Sequence, residues 1–225
     1  MIQSYSMISP ERLASHARLE QLISRGPVAV TFRDPTAYAH QLGYGNQENL
    51  VRAIAGKDVC DLGSGCGGLY KMLTLEGLNT SRITSVDPLI GSRSFIASDK
   101  FQTERRLVEY PKDVVRKIRR EYLSKVVKAF AHKLPFADNS FDLVFDNWAV
   151  SVYTATEELA FEDSVLEMIR ILRPGGELRI GDPFSYGSSY VSNKEKILKK
   201  LGLKYEVIWA EENGVKEKQG VVVYK

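Results

Sequence analysis

Cysteine is scarce in this chain: Cys60 and Cys66 are the two in 225 residues, with no second Cys/His pair at zinc-like spacing nearby. Neither a disulfide framework nor a metal site is suggested, and both thiols are expected to serve packing. Long apolar runs are also missing, and none approaches the roughly 20 residues that a membrane-spanning helix needs. Met1–Pro10 lacks the basic-then-apolar order of a secretory leader. The expectation is a cytoplasmic protein that does not enter a membrane. Repeats and low-complexity tracts are absent, and the length suits one domain with some decoration.

Charge is present in both signs, with a formal net of +3. The excess is local. Lys100–Lys128 holds ten basic residues (Lys100, Arg105, Arg106, Lys112, Arg116, Lys117, Arg119, Arg120, Lys125, Lys128) against the four acids Glu104, Glu109, Asp113 and Glu121. Such a patch is what an anionic partner needs.

From Lys57 onward, short β-rich runs alternate with helical patterns. Strands are expected at Val59–Leu62, Ile83–Val86, Val126–Ala131, Asp142–Val150, Glu177–Gly181, Lys204–Trp209 and Val221–Tyr224. Helices are expected at Leu69–Glu76, Thr156–Leu172 and Asn193–Leu201. In the second of these, Phe161, Val165, Met168, Ile169 and Leu172 recur at helical spacing; Thr156 is a candidate cap, and Pro174-Gly175-Gly176 a stop. Upstream, Ser9-Pro10-Glu11 opens a helix that Gly26 and Pro27 close, and Gln47–Ala55 forms another. Alternation of this kind predicts a parallel sheet with right-handed crossovers, and the last two strands, lacking a helix between them, an antiparallel edge pair.

Asp61-Leu62-Gly63-Ser64-Gly65-Cys66-Gly67-Gly68 follows a strand and opens a helix. Residues without Cβ let backbone N–H groups and a helix N-terminus approach a ligand closely. Gly63 and Gly65 are placed against that ligand, and Gly68 in helix–strand packing. The segment satisfies G-x-G-x-x-G, so a dinucleotide site or an empty tight turn fits it equally. Asp87, before Pro88 and 19 residues past Gly68, ends the next strand, where a carboxylate can accept from both hydroxyls of a ribose. Adenosylmethionine and NAD both carry one.

Three further segments narrow the choice: Asp61 directly before Leu-Gly-Ser-Gly, Leu134-Pro135-Phe136-Ala137-Asp138-Asn139-Ser140-Phe141-Asp142-Leu143-Val144, and Leu172-Arg173-Pro174-Gly175-Gly176-Glu177-Leu178. In this order the chain resembles the class I S-adenosylmethionine-dependent methyltransferases of the small-domain type. The resemblance implies an α/β fold with a Rossmann-like, doubly wound, seven-stranded sheet that ends in an antiparallel hairpin, with helices on both faces. It implies S-adenosyl-L-methionine as cofactor, with Gly63, Ser64 and Gly65 along its methionine part and Asp61 at its amino end. Asp87 and Pro88 would lie at the ribose. Phe130, Ala131 and His132 would frame the adenine; Phe130 stands where the family often has an acid, and His132 could replace that polar contact. Asp146 and Asn147 would lie near the reacting sulfur.

Methyl transfer from a sulfonium needs alignment and water exclusion more than a fixed base. Asp146-Asn147-Trp148-Ala149 is not the Asn-Pro-Pro-aromatic box of amino-methylating DNA enzymes, and no Cys stands where a pyrimidine C5 enzyme needs its nucleophile. Substrate contacts are expected from the N-terminal region and the loops after the fourth and fifth strands: Tyr44, Trp148, Tyr153, Asp182 and Tyr186, with His40 as the candidate base. Phe184–Tyr190 reads as a mobile loop over the site or an ordinary connection.

Residues 1–45 would form a helical cap and 46–225 the catalytic domain. Between Asp87 and Val126 lie 38 residues, where a crossover needs about a dozen. In this insertion Val114, Val115, Ile118 and Tyr122 share one helix face, with Arg116, Lys117, Arg119 and Arg120 largely on the other. It reads as a lid, a partner surface or solvated scaffold. The leading expectation is methyl transfer to a small molecule. The alternatives are RNA or protein docked on the basic surface, an NAD-dependent oxidoreductase, and a cofactor-binding subunit without catalysis.

Overall fold

The computed structural model describes residues 8–25, 32–147, 149–150, 157–181, 188–212 and 215–225. Gly26, Pro27, Trp148, Tyr153, Thr156, Asp182 and Tyr186 lie outside them.

Helices α1 (Pro10–Arg25), α2 (Pro35–Gln41) and α3 (Gln47–Ile54) precede strand β1 (Val59–Leu62). Then come α4 (Gly68–Leu75), β2 (Ile83–Val86), α5 (Arg93–Arg106), α6 (Lys112–Lys125) and β3 (Phe141–Asn147). The chain ends with α7 (Glu158–Ile171), β4 (Leu172–Gly181), α8 (Ser188–Lys200), β5 (Lys204–Glu212) and β6 (Val215–Tyr224). Local chemistry sets several starts. Asp34 caps α2 by accepting from the Ala37 N–H at 2.8 Å, with Pro35 in the first helical position. Asn46 caps α3 through the Asn49 N–H at 2.9 Å, and Ser92 caps α5 through the Phe95 N–H at 3.1 Å.

The described strands form a six-stranded sheet in the order β2-β1-β3-β4-β6-β5. The first four run parallel, and β6 is antiparallel to both β4 and β5. The seven-stranded expectation is corrected here. Val126–Ala131 makes one parallel bridge, Val127 to Val86, and Phe130 then turns back to Lys133. Val126 is occupied as the C-cap of α6, its N–H bound to the Tyr122 carbonyl, so little of the run is left to pair. A second correction concerns Pro174-Gly175-Gly176. The helix stops at Ile171, and these residues lie within β4, where the register with β3 shifts between Phe141 and Leu143.

Side chains on β3 alternate between two cores, as the period of a strand requires. Val144 joins Phe161, Val165 and Met168 of α7 and Leu198 of α8. Leu143 and Phe145 join Tyr38 of α2, Leu42 at its C-cap, Leu50 of α3 and Leu69 and Leu73 of α4. Each such buried side chain contributes about 1.5–3 kcal/mol. Helices thus cover both faces, and β1, with β2 on one side and β3 on the other, opens the crevice where doubly wound sheets bind ligands. The 88–125 insertion is two helices with a core of their own, in which Phe95, Leu107, Val115 and Tyr122 pack with Phe32, Cys66 and Tyr70. Both cysteines are buried. No described helix is long and apolar enough to cross a membrane.

Candidate functional site

The segment after β1 turns through glycines in the left-handed region: Gly63 at φ 60°, Gly65 at 55° and Gly67 at 63°. L-residues with side chains rarely hold this conformation. Space forbids them as well. A Cβ on Gly63 would lie 1.9 Å from the Ala149 Cβ, and one on Gly67 2.3 Å from the Tyr122 ring. On Gly68 it would lie 2.0 Å from the Arg33 carbonyl oxygen, so this glycine admits the segment that leads into α2 as well as serving packing.

Carboxylates stand at the tips of the three strands around this turn. Asp61 on β1 is fully buried; one oxygen accepts from the Tyr38 hydroxyl at 2.8 Å, and the other has no hydrogen-bond partner among the described residues. Burial pushes its pKa up to about 7, against the lowering effect of the Tyr38 hydrogen bond and the Arg33 charge. Asp87, after β2, accepts from the Gly65 N–H at 3.1 Å and the Leu89 N–H at 2.8 Å. Burial raises it to about 6, opposed by those two backbone bonds. Asp146 on β3 accepts from the Ala149 and Val150 N–H groups at 3.1 and 2.9 Å and so shapes the turn that meets Gly63.

Asn147 follows, fully buried, and neither atom of its carboxamide is hydrogen-bonded among the described residues. Its carbonyl accepts from Arg33 Nη1, and a Cβ on Gly181 would lie 2.8 Å from the Gln41 carbonyl oxygen and 3.1 Å from Asn147 Oδ1. The 32–45 segment therefore lies across the ends of β1, β3 and β4.

Most cofactor residues named from the sequence converge here. Asp61, Gly63, Ser64, Gly65, Asp87, Asp146 and Asn147 gather at the turn and the strand ends beside it, and Pro88 is half-buried next to Asp87. Phe130 and His132 belong to a different setting. Their rings stack 5.7 Å apart, and the His132 ring stacks on His16 of α1 at 4.2 Å. His132 Nε2 is 3.1 Å from Glu20, also on α1, while Nδ1 has no hydrogen-bond partner among the described residues. Ala131 is half-buried between them. Burial and the neighbouring His16 lower the His132 pKa. This segment borders a cavity of about 350 Å³ that Glu20 also lines.

The candidate base is placed differently. His40 is exposed in the last turn of α2, and the side chain that α2 sends to Asp61 is Tyr38. Two positions apart on a helix is about 200° of rotation, so both cannot face the crevice. Tyr44 packs edge-on to Phe145 at 6.1 Å, with Arg179 4.2 Å over its ring; its buried hydroxyl has no hydrogen-bond partner among the described residues. Trp148, Tyr153, Asp182 and Tyr186 lie outside the described residues. So does most of Phe184–Tyr190, whose last residues begin α8.

Sequence reasoning missed Arg33 and Tyr38 and gave Tyr122 only a packing role. The Asp34-Pro35 cap signal could have revealed α2 and, with it, Tyr38. Nothing in the pattern marks Arg33.

Residues 60–180 match the family model described as a methyltransferase domain, which is more than half of the chain. The chain therefore belongs to this methyltransferase family and is an enzyme of the class I group, whose methyl donor is S-adenosyl-L-methionine. Among solved structures, it is similar to a Methanococcus maripaludis protein described as a candidate S-adenosyl-L-methionine-dependent methyltransferase. That similarity has 16% identity and a TM-score of 0.55 and covers 99% of this chain and 97% of that one. It is also similar to the 1,6-didemethyltoxoflavin-N1-methyltransferase of Burkholderia thailandensis, at 14% identity and a TM-score of 0.50, covering 99% and 93%. At such identities the likeness is one of fold. No curated protein matches the sequence.

Proposed function

We propose that this chain transfers the methyl group of S-adenosyl-L-methionine to a small-molecule acceptor. The observation that carries the reading is the unpartnered oxygen of Asp61, fully buried beside the glycine turn. A buried carboxylate is costly unless something pairs with it. An amino acid's ammonium group is such a partner, and the methionine end of the cofactor carries one. A dinucleotide would instead bring its negatively charged pyrophosphate toward Asp61, Asp87 and Asp146, which disfavours NAD.

When bound, the cofactor supplies a methyl group already activated by a positive sulfur. The chain's own residues bind, orient and exclude water. Asp61 and Tyr38 fix the amino end, and the glycine turn offers its backbone. Asp87 is held by the Gly65 and Leu89 N–H groups, with lone pairs left to accept from ribose hydroxyls. The buried, unpartnered carboxamide of Asn147 suits a polar group of the acceptor or cofactor. The 32–45 segment over the strand ends restricts the mouth, which favours a small acceptor over a macromolecule.

A melting-temperature screen with adenosylmethionine, adenosylhomocysteine and NADH tests this, because a ligand that binds the native state raises the transition. Both sulfur compounds should stabilise the wild type, NADH should not, and Asp87→Ala should lose most of the effect. Stabilisation by NADH alone would overturn the reading.

A further inference from the structure

We propose that Tyr122, delivered by the 88–125 insertion, is a positioning residue for cofactor binding: its buried hydroxyl holds the glycine turn in its ligand-ready shape. The proposal rests on the methyltransferase reading above. It explains why a crossover that needs about a dozen residues carries 38 residues and two helices.

Tyr122 projects from α6 beneath the turn and is 1% exposed. Its hydroxyl is 2.7 Å from the Gly65 carbonyl oxygen and 2.8 Å from Ser64 Oγ. A carbonyl can only accept, so the tyrosine proton goes to Gly65. The Ser64 hydroxyl then donates to the phenolic oxygen, since its other acceptor, the Val86 carbonyl, is 3.5 Å away. Burial keeps Tyr122 protonated by raising its pKa well above 10. The ring fills the space that a Cβ on Gly67 would need. One side chain thus contacts Ser64, Gly65 and Gly67.

This turn needs such a clamp. Glycines at alternate positions have the most backbone freedom to lose. Asp87 already holds the Gly65 N–H, and Tyr122 holds its carbonyl, so the peptide planes on both sides of Gly65 are fixed.

The clamp is itself anchored. Lys71 on α4, fully buried, donates to Asp99 and, at 2.8 Å, to Thr103, both on α5. Arg119 on α6 donates to the second Asp99 oxygen. The Lys71 ammonium also lies 4.8 Å from the centre of the Tyr122 ring. The insertion is thereby tied to the helix that the glycine turn opens, and the hydroxyl cannot drift from the loop.

The test titrates adenosylhomocysteine into the full-length wild type, Tyr122→Phe and Phe95→Leu, with ligand-free melting temperatures measured alongside. Tyr122→Phe keeps the ring and removes the hydroxyl. It should weaken binding about fivefold, the scale of one neutral hydrogen bond, and also lower the ligand-free melting temperature, because the Gly65 carbonyl and the Ser64 hydroxyl lose their buried partner. Phe95→Leu loosens the core that Tyr122 and Cys66 share but removes no hydrogen bond to the turn, so it should melt lower and bind within about twofold of the wild type. Should Tyr122→Phe be unstable, its ligand-induced rise in melting temperature, measured from its own ligand-free value, gives the same comparison. Wild-type affinity in Tyr122→Phe overturns the proposal and leaves the methyltransferase reading standing. An equal loss in both variants reduces Tyr122 to general packing. No binding by the wild type defeats the proposal together with the reading beneath it.

Discussion

Asp61→Asn separates charge from shape at the centre of the site. The amide is isosteric, can still accept from the Tyr38 hydroxyl, and removes the negative charge that the ligand's ammonium would meet. A hydrogen bond to a charged partner contributes about 1.5–3 kcal/mol, so the dissociation constant should rise roughly ten- to 150-fold. Acidity gives a sharper signature. The free-protein pKa of Asp61 is raised by burial to about 7, and an ammonium partner favours the carboxylate, so binding expels a proton below that pH. Wild-type affinity should climb by up to about tenfold per pH unit from about pH 5 and level off above about pH 7. Asp61→Asn should keep only a weaker slope near pH 6, from Asp87. The ligand-free protein should show the opposite trend. A carboxyl whose folded-state pKa is raised stabilises most below its ordinary value of 3.8 and loses that contribution as pH rises through about 7, so the variant should lose this part of the decline. Calorimetric titration of adenosylhomocysteine across this range, with parallel melting curves, measures both. Equal affinities and equal pH slopes in the two proteins would refute the role given to Asp61.

Two substitutions test the supports of the site. Gly68→Ala sets a Cβ 2.0 Å from the Arg33 carbonyl oxygen, a backbone atom with little room to yield; the overpacking should cost about 1–3 kcal/mol, shift Arg33 and Tyr38, and weaken ligand binding in a titration. Lys71→Met leaves Asp99 buried with Arg119 as its remaining cation; it should destabilise by about 3 kcal/mol in chemical denaturation, and adding Asp99→Leu should recover part of the loss.

What the sequence revealed depended on where the physics was local. β1 and β2 have the predicted limits because short apolar runs end at residues with a backbone requirement, the glycines after Leu62 and Asp87-Pro88 after Val86. Val126–Ala131 has the same β-prone composition yet contributes one bridge, because pairing depends on what the neighbouring residues must also do: Val126 closes α6, and Phe130 starts a turn. Helix α5 was hidden for a different reason. Of its inward stripe of Phe95, Asp99 and Thr103, two residues are polar and are satisfied by Lys71 and Arg119 on other helices. No pattern confined to one segment can disclose a polar stripe whose partner is remote. The same limit hid Tyr38, which sits on a helix of seven residues, too short for periodicity to register.

The acids were legible and their consequence was not. Asp61 and Asp87 could be placed at strand tips from the sequence, but their raised pKa values come from a lid of backbone and side chains brought in from 32–45 and from the insertion. Arg33 lowers both values and limits the cost of gathering carboxylates in one crevice. It does so incompletely: each remains above the ordinary carboxylate range. The ligand-free site is thus under electrostatic strain that a cationic ligand relieves and an anionic one deepens. On the proposed reading, that imbalance would favour a sulfonium-bearing amino acid over a dinucleotide, because the glycine turn alone would admit either.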